Sequence, residues 1–578
     1  MSTTVADESP VETSTPDRAP RPRAWNWLAL GLTVAVFAVL AWNRRWMSDD
    51  GLIVLRTVRQ ILAGNGPVFN AGERVESNTS TLWTYLLVAF GWIPGLRLEW
   101  LAVVLGLLCA AGGLLLALDG TRRLTGSTLV APAGALVLIA LPPFRDFATS
   151  GLETGLITLW LGTTWWLLVR HARRTPACPV WVTALVIGLG VLVRPDLALF
   201  SAFAGAGLLI LEWRGWRPAL LWLAAAAALP VAYQIFRMGY YGLLTPNTAL
   251  VKEASDALWD HGWDYLTDFA TPYYLWIPLV LCALLGAVVL WRTPIDRAMA
   301  VVVAVPLLGG ITLALYVIRV GGDFMHGRML LPALFSLMLP VMVVRLTKTT
   351  VLPVIALGIW AIIAGTWLRA GYTTADKPMD QVRRIADERA SYVAASHHEH
   401  PILAEDFDEF TAVTGPLNAI LAARPEPAVF VQTEQGEWHH YPTTNGRTIS
   451  SFYNIGGPGM LLPLDIWVHD PIGLANPIAA HTTPLPGRRI GHNKYAPSAW
   501  EVAVQARETP LELSRYGDFN PDTIDAIRGI FACPPNREML DSVQAPLTLA
   551  RFRHNLLHAA GRTSLRYDHE PRNAQHCN

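Results

Sequence analysis

Between Trp25 and Arg369 the chain is a succession of apolar blocks separated by short polar loops, and this pattern limits what it can fold into. A helix that crosses a bilayer needs about 20 mostly apolar residues, because lipid offers no water to a bare backbone. Apolar segments begin near Trp25, Leu98, Thr128, Thr154, Val180, Asp196, Pro218, Tyr273, Ala298, Met329 and Val351. They predict a polytopic α-helical membrane protein with about eleven spans. The apolar stretch from Thr81 to Ile93 is too short to cross and reads as a half-helix or an interfacial piece. Composition agrees: 52% of the 578 residues are apolar and only 16% charged, against about a quarter in soluble proteins. The formal net charge is zero, so no overall field favours nucleic acid.

The character of the chain changes after Ala370, where charges, prolines and histidines mix as in a soluble domain. Three regions follow: a disordered cytoplasmic tail at 1–24, a transmembrane region at 25–369, and an extracytoplasmic mixed α/β domain at 370–578. The first apolar run is no cleaved signal, since it lies deep in the chain and ends in Trp42-Asn43-Arg44-Arg45-Trp46. Loops with Arg122-Arg123, Arg173-Arg174, Arg214 to Arg217, Arg292 to Arg297 and Arg345 to Lys348 alternate with loops rich in carboxylates. The positive-inside bias then puts the N-terminus in the cytoplasm and the C-terminal domain outside the plasma membrane. There Cys533 and Cys577 can pair as a disulfide. Trp438, Trp467 and Trp500 either grip polysaccharide or pack the core of this domain. His397-His398-Glu399-His400 is too crowded for a metal on one helix face and reads as a solvated loop.

Arg145, Arg194, Arg237, Arg319 and Arg328 break the charge rule by falling on the outer side. Charges at membrane depth are costly and tend to be functional or paired, so together they suggest one polar cavity open to the outside; separate snorkelling is the plainer alternative. The sharpest local feature is Ser48-Asp49-Asp50-Gly51, followed by an amphipathic pattern with Arg56 and Arg59 on another face, predicting a helix along the membrane surface. An N-cap explains one carboxylate but not two. One of the pair can bond the backbone while the other faces a cavity, as a general base or as a ligand of a divalent metal (Mg, Mn or Ca).

Downstream, Glu76-Ser77-Asn78-Thr79-Ser80 offers hydroxyls and the Asn78 amide to a sugar or phosphate, or simply caps a helix. Arg145, Asp146 and Glu153 lie between two spans, with Glu153 at a helix start where the dipole favours an anion. Arg194-Pro195-Asp196 places two charges at a proline break. Arg237, Tyr240, Asn247 and Lys252 lie next to lipid, where Arg237 or Lys252 can clamp a lipid-linked phosphate. Asp323, His326 and Arg328 share the most charge-dense loop, with glycines that permit close ligand approach. From this cavity reading, Arg237, Lys252, Asn247, Arg194, Arg328, His326 and Asn78 are candidates for donor phosphate or sugar binding. Arg145, Asp146, Glu153, Asp196, Tyr240 and Asp323 complete the wall. The chain shows no P-loop, Rossmann glycine signature or serine-hydrolase elbow, so a nucleotide cofactor has no support.

Several stretches together resemble one family. They are Arg44-Arg45-Trp46 with Ser48 to Arg56, Gly64 to Asn70, Gly72 to Glu76 and Asn78 to Thr81, then Arg145 to Glu153, Leu192 to Pro195, Val231 to Leu244, Gly321 to Arg328, Gly491-His492-Asn493-Lys494 and the late cysteines. The likeness is to the terminal β-(1→2) arabinofuranosyltransferases of mycobacteria and related actinobacteria, the AftB family, over nearly the whole chain after about residue 26. It implies a membrane glycosyltransferase of GT-C type. It also implies decaprenyl-phosphoryl arabinose as donor and, as acceptor, the non-reducing ends of arabinan in arabinogalactan or lipoarabinomannan. The family's acidic pair falls on Asp49 and Asp50, the expected catalytic centre and tentative metal ligands, in a monomeric enzyme. A β-linked donor and a β product imply net retention, which leaves base, nucleophile and metal-ligand roles open for the pair.

The residues alone do not separate this reading from a polyprenyl-phosphate mannosyl- or glucosyltransferase. A lipid-linked glycan transporter would show inverted repeats and charges at mid-membrane; no repeat is visible and the charges collect at one face. A wall-binding scaffold would be indifferent to Asp49→Asn.

Overall fold

The protein is described by a computed structural model covering residues 23–126, 130–252, 257–292, 295–366, 368, 385–485 and 491–573. Residues 1–22 of the expected tail lie outside the described residues, as does Cys577. Cys533 is buried, and Cys109, Cys178 and Cys282 are free thiols.

The expectation of about eleven spans is overturned. Among the described residues five helices are long and apolar enough to cross a membrane: Trp25–Trp42, Leu98–Thr125, Pro195–Glu212, Trp216–Tyr240 and Arg297–Arg319. An apolar run is a statement about solvent preference, not about an unbroken helix. The run near Val180 splits into Val180–Gly188 and Gly190–Val193. The run near Met329 splits into Arg328–Leu330, Leu331–Met338 and Leu339–Val341, with Pro332 and Pro340 near the joints. Pro332 and Pro340 have no N–H for the ladder, which suits them to the joints of the Met329 run. Thr81–Gly91 is a short helix, as its length requires.

Leu98–Thr125 and Thr154–Ala172 share the most extensive helix–helix contact. Gly106 and Gly113 on one face those of Gly155 and Gly162 on the other. A Cβ added at Gly155 would run into the carbonyl oxygen of Gly106, and one at Gly162 into that of Gly113. A seven-residue spacing returns to the same helix face, and small residues let two backbones touch without a side chain between them. The pair sets the start of the second helix, and with it Glu153, at the end of the bundle that meets the C-terminal domain.

The helix Asp49–Leu62, expected along the membrane surface, is covered on both faces by protein. It is sandwiched between the bundle and the C-terminal domain, with Leu52, Leu55 and Val58 in the bundle core. Its basic face is buried in the domain. Arg56 donates to the carbonyls of Phe69 (3.0 Å), Gly459 (2.5 Å) and Ile466 (2.6 Å), and Arg59 to that of Met460 (2.6 Å). These carbonyls, about 400 residues away in sequence for Gly459, Ile466 and Met460, replace the water that a surface helix would have used.

The C-terminal domain is mixed α/β. Its four strands run in the order Trp438–Pro442, Ala428–Gln432, Ile449–Ser451, Trp467–His469. The first two pair antiparallel, with Val429 opposite Tyr441; the other contacts are parallel. Trp467 and Trp500 are only 2% exposed and pack the core of this domain, so of the two alternatives for these tryptophans it is packing that applies to them. His397, His398 and Glu399 form the exposed turn expected of them. A buried ionic joint ties the domain to the segment after the helix Asp49–Leu62: His469 lies between Glu73 (2.7 Å) and Glu501 (2.9 Å).

Candidate active site

Ser48 caps the helix Asp49–Leu62 by accepting from the Gly51 amide (3.0 Å). Its own amide and hydroxyl both donate to the Ser150 carbonyl, at 3.0 and 3.2 Å. Gly51 needs to be glycine here, since a Cβ would lie 2.9 Å from that same oxygen. The turn therefore sits on Ser150-Gly151, beside Glu153, and both acidic residues occupy the first turn of the helix, where the dipole favours them.

The two carboxylates diverge. Asp49 is 8% exposed and its Oδ1 accepts from the Gly457 amide of the C-terminal domain at 3.0 Å. Burial pushes its carboxyl up to about 7, against the opposing pull of the Gly457 and Gly456 amides. A Cβ at Gly456 would lie 2.6 Å from Asp49 Oδ1, so that glycine is what admits the carboxylate. Asp50, with 28% of its side chain exposed, lines an open cavity of about 70 Å³.

The cavity gathers Asp50, Asn78, Glu153, Lys252 and Arg328 from the expected residues. Arg328 reaches Asp50 at 3.4 Å and Asp323 at 3.7 Å. Arg194 reaches Glu153 at 3.8 Å and is held by Asp196 at 2.6 Å. Four separate segments, at Asp50, Glu153, Lys252 and Arg328, thus place positive and negative groups around one space. Asn78 is held by Thr57 and Thr84 at 3.3 Å each.

Other expected residues lie elsewhere. Arg237 forms a two-point pair with Glu76 (2.6 and 3.1 Å), which also accepts from Tyr233 (2.7 Å). Tyr240 stacks on Phe236, and its carbonyl accepts from Arg74. Asn247 donates to the carbonyls of Gly473 (2.6 Å) and Leu474, joining bundle to domain. His326 is fixed by Asp268 (2.6 Å) and Tyr273 (3.0 Å), and lines a second, smaller pocket with Asp146. Asp146 is paired with Arg44, and Arg145 donates to the Ala140 carbonyl at 3.5 Å. Of the arginines expected around a single cavity, Arg328 lines this one, Arg194 reaches it through Glu153, and Arg145 and Arg237 bond elsewhere.

The hydroxyl run expected to meet a sugar or phosphate reaches the cavity at Ser77, while sequence reasoning missed Thr248, Phe324 and His492 there. Ser77 and Thr248 line the cavity, and their hydroxyls have no hydrogen-bond partner among the described residues. Buried polar groups are normally paired, so these two are suited to ligand hydroxyls or phosphate oxygens. Phe324 and, from the C-terminal domain, His492 complete the wall. The run Gly456-Gly457-Pro458-Gly459 was the available signal for a close backbone approach to Asp49. As for a metal, Asp49 Oδ1 faces the Gly457 amide and Asp50 Oδ2 faces Arg328, and no group of three His, Cys, Asp or Glu is assembled for an ion among the described residues.

Comparison with known proteins adds independent findings. A family profile described as the AftB family C-terminal domain matches residues 416–576. The chain is similar to the terminal β-(1→2)-arabinofuranosyltransferase of Mycobacterium tuberculosis, at 40% identity over 605 aligned positions covering 94% of this chain and 96% of that one. It is similar to the protein of the same name from Corynebacterium glutamicum, at 37% identity over 593 positions covering 92% and 85%. Among solved structures, the crystal structure of ArnT from Cupriavidus metallidurans bound to undecaprenyl phosphate superposes with a TM-score of 0.46 at 12% identity, covering 77% of this chain and 90% of that one.

Proposed function

The chain belongs to the family of terminal β-(1→2)-arabinofuranosyltransferases, and from that premise we propose that decaprenyl-phosphoryl arabinose is its donor and the non-reducing ends of cell-wall arabinan are its acceptors. The activity itself is the family's: a polyprenyl-phosphate-sugar-dependent transfer of arabinofuranose that forms terminal β-(1→2) linkages. Asp50 is the carboxylate that meets the sugar, and Asp49 holds the turn against the C-terminal domain. The observation that carries this assignment is that Asp50 lines the cavity while Asp49 is buried on the Gly457 amide.

Arg328 and Lys252 supply positive charge for the donor phosphate, with the Ser77 and Thr248 hydroxyls beside them. Asn78 and Glu153 face the sugar. A furanose carries hydroxyls on a small ring, and this mixture of amide, hydroxyls and carboxylates is suited to it.

The cavity and the C-terminal domain face the outside of the membrane, and the N-terminus lies in the cytoplasm. In support, the helix Leu98–Thr125 starts beside Glu405 of the domain, through Arg97, and ends in Arg122 and Arg123. At 1.5 Å per residue those ends are about 40 Å apart. Thr154–Ala172 likewise begins beside the cavity and ends in Arg170 and His171. Basic ends opposite the cavity fit the positive-inside bias.

The test is transfer from decaprenyl-phosphoryl arabinose to a synthetic arabinan acceptor by the detergent-purified protein, with the new linkage read by NMR. A β-(1→2) arabinofuranosyl product is expected. Failure of a well-folded protein to use this donor, with activity on a mannosyl or glucosyl phosphoprenol instead, would overturn the donor assignment.

A further inference from the structure

Three aromatic rings run outward from the cavity. Phe324, on the bundle side, is 9% exposed and lines the cavity. Its ring meets that of His492 edge-on, with centroids 5.0 Å apart. His492 also lines the cavity, and its far side stacks on Tyr453, with centroids 6.1 Å apart and 24° between planes. Tyr453 is 51% exposed. The row thus passes from buried to solvent-facing in three steps, and its outer members belong to the C-terminal domain.

Tyr453 lies just before the helix Gly456–Leu461, whose second residue, Gly457, donates its amide to Asp49. The outer end of the row is therefore tied by a few residues of chain to the turn that carries Asp50. A large exposed ring at this position does no evident packing for the fold. Aromatic faces present flat apolar surface at small entropic cost, and this matches the C–H faces of sugar rings.

We propose that Phe324, His492 and Tyr453 form an acceptor subsite, on which the sugar rings of the incoming arabinan stack as its non-reducing end reaches Asp50. This inference rests on the arabinosyltransferase reading above. The direction of the row distinguishes acceptor from donor. The donor's prenyl tail stays in lipid, so its sugar enters from the bundle. A water-soluble polymer enters from the side of the soluble domain, where Tyr453 stands. The subsite makes the C-terminal domain part of the acceptor path.

Steady-state kinetics on the full-length, detergent-solubilised protein test this, with synthetic arabinan oligosaccharides and the polyprenyl-phosphoryl donor varied separately. Tyr453→Ala is expected to raise the acceptor KM by about tenfold, with donor KM and kcat close to wild type. The rise is expected to be larger for a longer oligosaccharide than for a disaccharide. Tyr453→Phe keeps the face and is expected to restore the wild-type acceptor KM. An active wild type whose acceptor KM is unchanged in Tyr453→Ala, or a Tyr453→Phe variant as impaired as the alanine, overturns the subsite alone. A well-folded wild type that transfers nothing overturns the arabinosyltransferase reading and the subsite with it.

Discussion

Two sets of arginines are almost equally buried and behave differently. Arg56 and Arg237 are 0% and 9% exposed; Arg194 and Arg328 are 4% and 7%. Each of the three nitrogens of Arg56 donates to a backbone carbonyl, and Arg237 grips Glu76 and Gln234 at 2.6 to 3.1 Å. Around the cavity the contacts are looser. Arg328 stands 3.4 Å from Asp50 and 3.7 Å from Asp323, and its Nε has no hydrogen-bond acceptor among the described residues. Arg194 is tight on Asp196, yet its Nη1 lacks an acceptor among the described residues and lies 3.8 Å from Glu153. Burial alone therefore does not mark a binding group. In Arg56 and Arg237 every nitrogen is engaged and the side chain joins parts of the scaffold, whereas Arg194 and Arg328, each with a nitrogen left over beside the cavity, are suited to receive an anion.

The sharpest way to separate the cavity from the scaffold is Asp50→Asn. It is expected to lower kcat by about 10²–10⁴-fold while leaving the folded population intact, because general base or nucleophilic roles carry effects of that size. Next comes Arg237→Ala. It leaves Glu76 as a buried charge without its partner, and a stability loss of about 3–5 kcal/mol is expected in denaturation of the detergent-solubilised protein. The molecules that stay folded should turn over normally. A catalytic defect without a stability defect would move Arg237 into the site and break the comparison.

Arg328→Lys is expected to act the other way, raising the donor KM by about tenfold with little change in melting temperature, since a point charge cannot replace a fork at a phosphate. The smallest effect concerns Asp49. Its carboxyl is raised to about 7 when folded, against about 3.9 for a free aspartate. The folded state therefore binds the extra proton, so the stability contribution is complete below about pH 4 and is lost as pH rises through about 7. Asp49→Asn cannot ionise. Its melting temperature should match wild type near pH 4 and exceed it near pH 8. A gap of equal size at both values would show that the charge of Asp49 is not the cause.

Features that lie within a few residues of chain are legible in the sequence. The acidic pair after the first span, the split of its roles between backbone and cavity, and the hydroxyl run at Glu76 to Ser80 are of this kind. The correction came where distance along the chain is large. Five outer-side arginines suggested one cavity, but Arg237 is 161 residues from its partner Glu76, and nothing near either residue announces the pair. His326 carried the chemistry of a ligand-binding group, yet Asp268 and Tyr273 hold both its nitrogens. The amphipathic helix after Asp50 was correctly periodic, but its basic face could equally meet lipid headgroups or backbone carbonyls. The periodicity of a helix defines its faces and does not say what will cover them.

Solvent preference is a property of individual residues. The order of amino acids was therefore enough to establish a membrane protein with apolar helices, a soluble mixed α/β region at its end, and a carboxylate pair at the boundary. The stretches matching its family established the reaction. Folding in three dimensions was needed to show that five helices among the described residues are long and apolar enough to span, because proline and glycine breaks become visible only when the chain is followed in space. It was needed, too, to set Asp49 on an amide 408 residues away and to bring His492 to the cavity wall. Such contacts depend on which surfaces meet, and no local pattern of residues encodes that meeting.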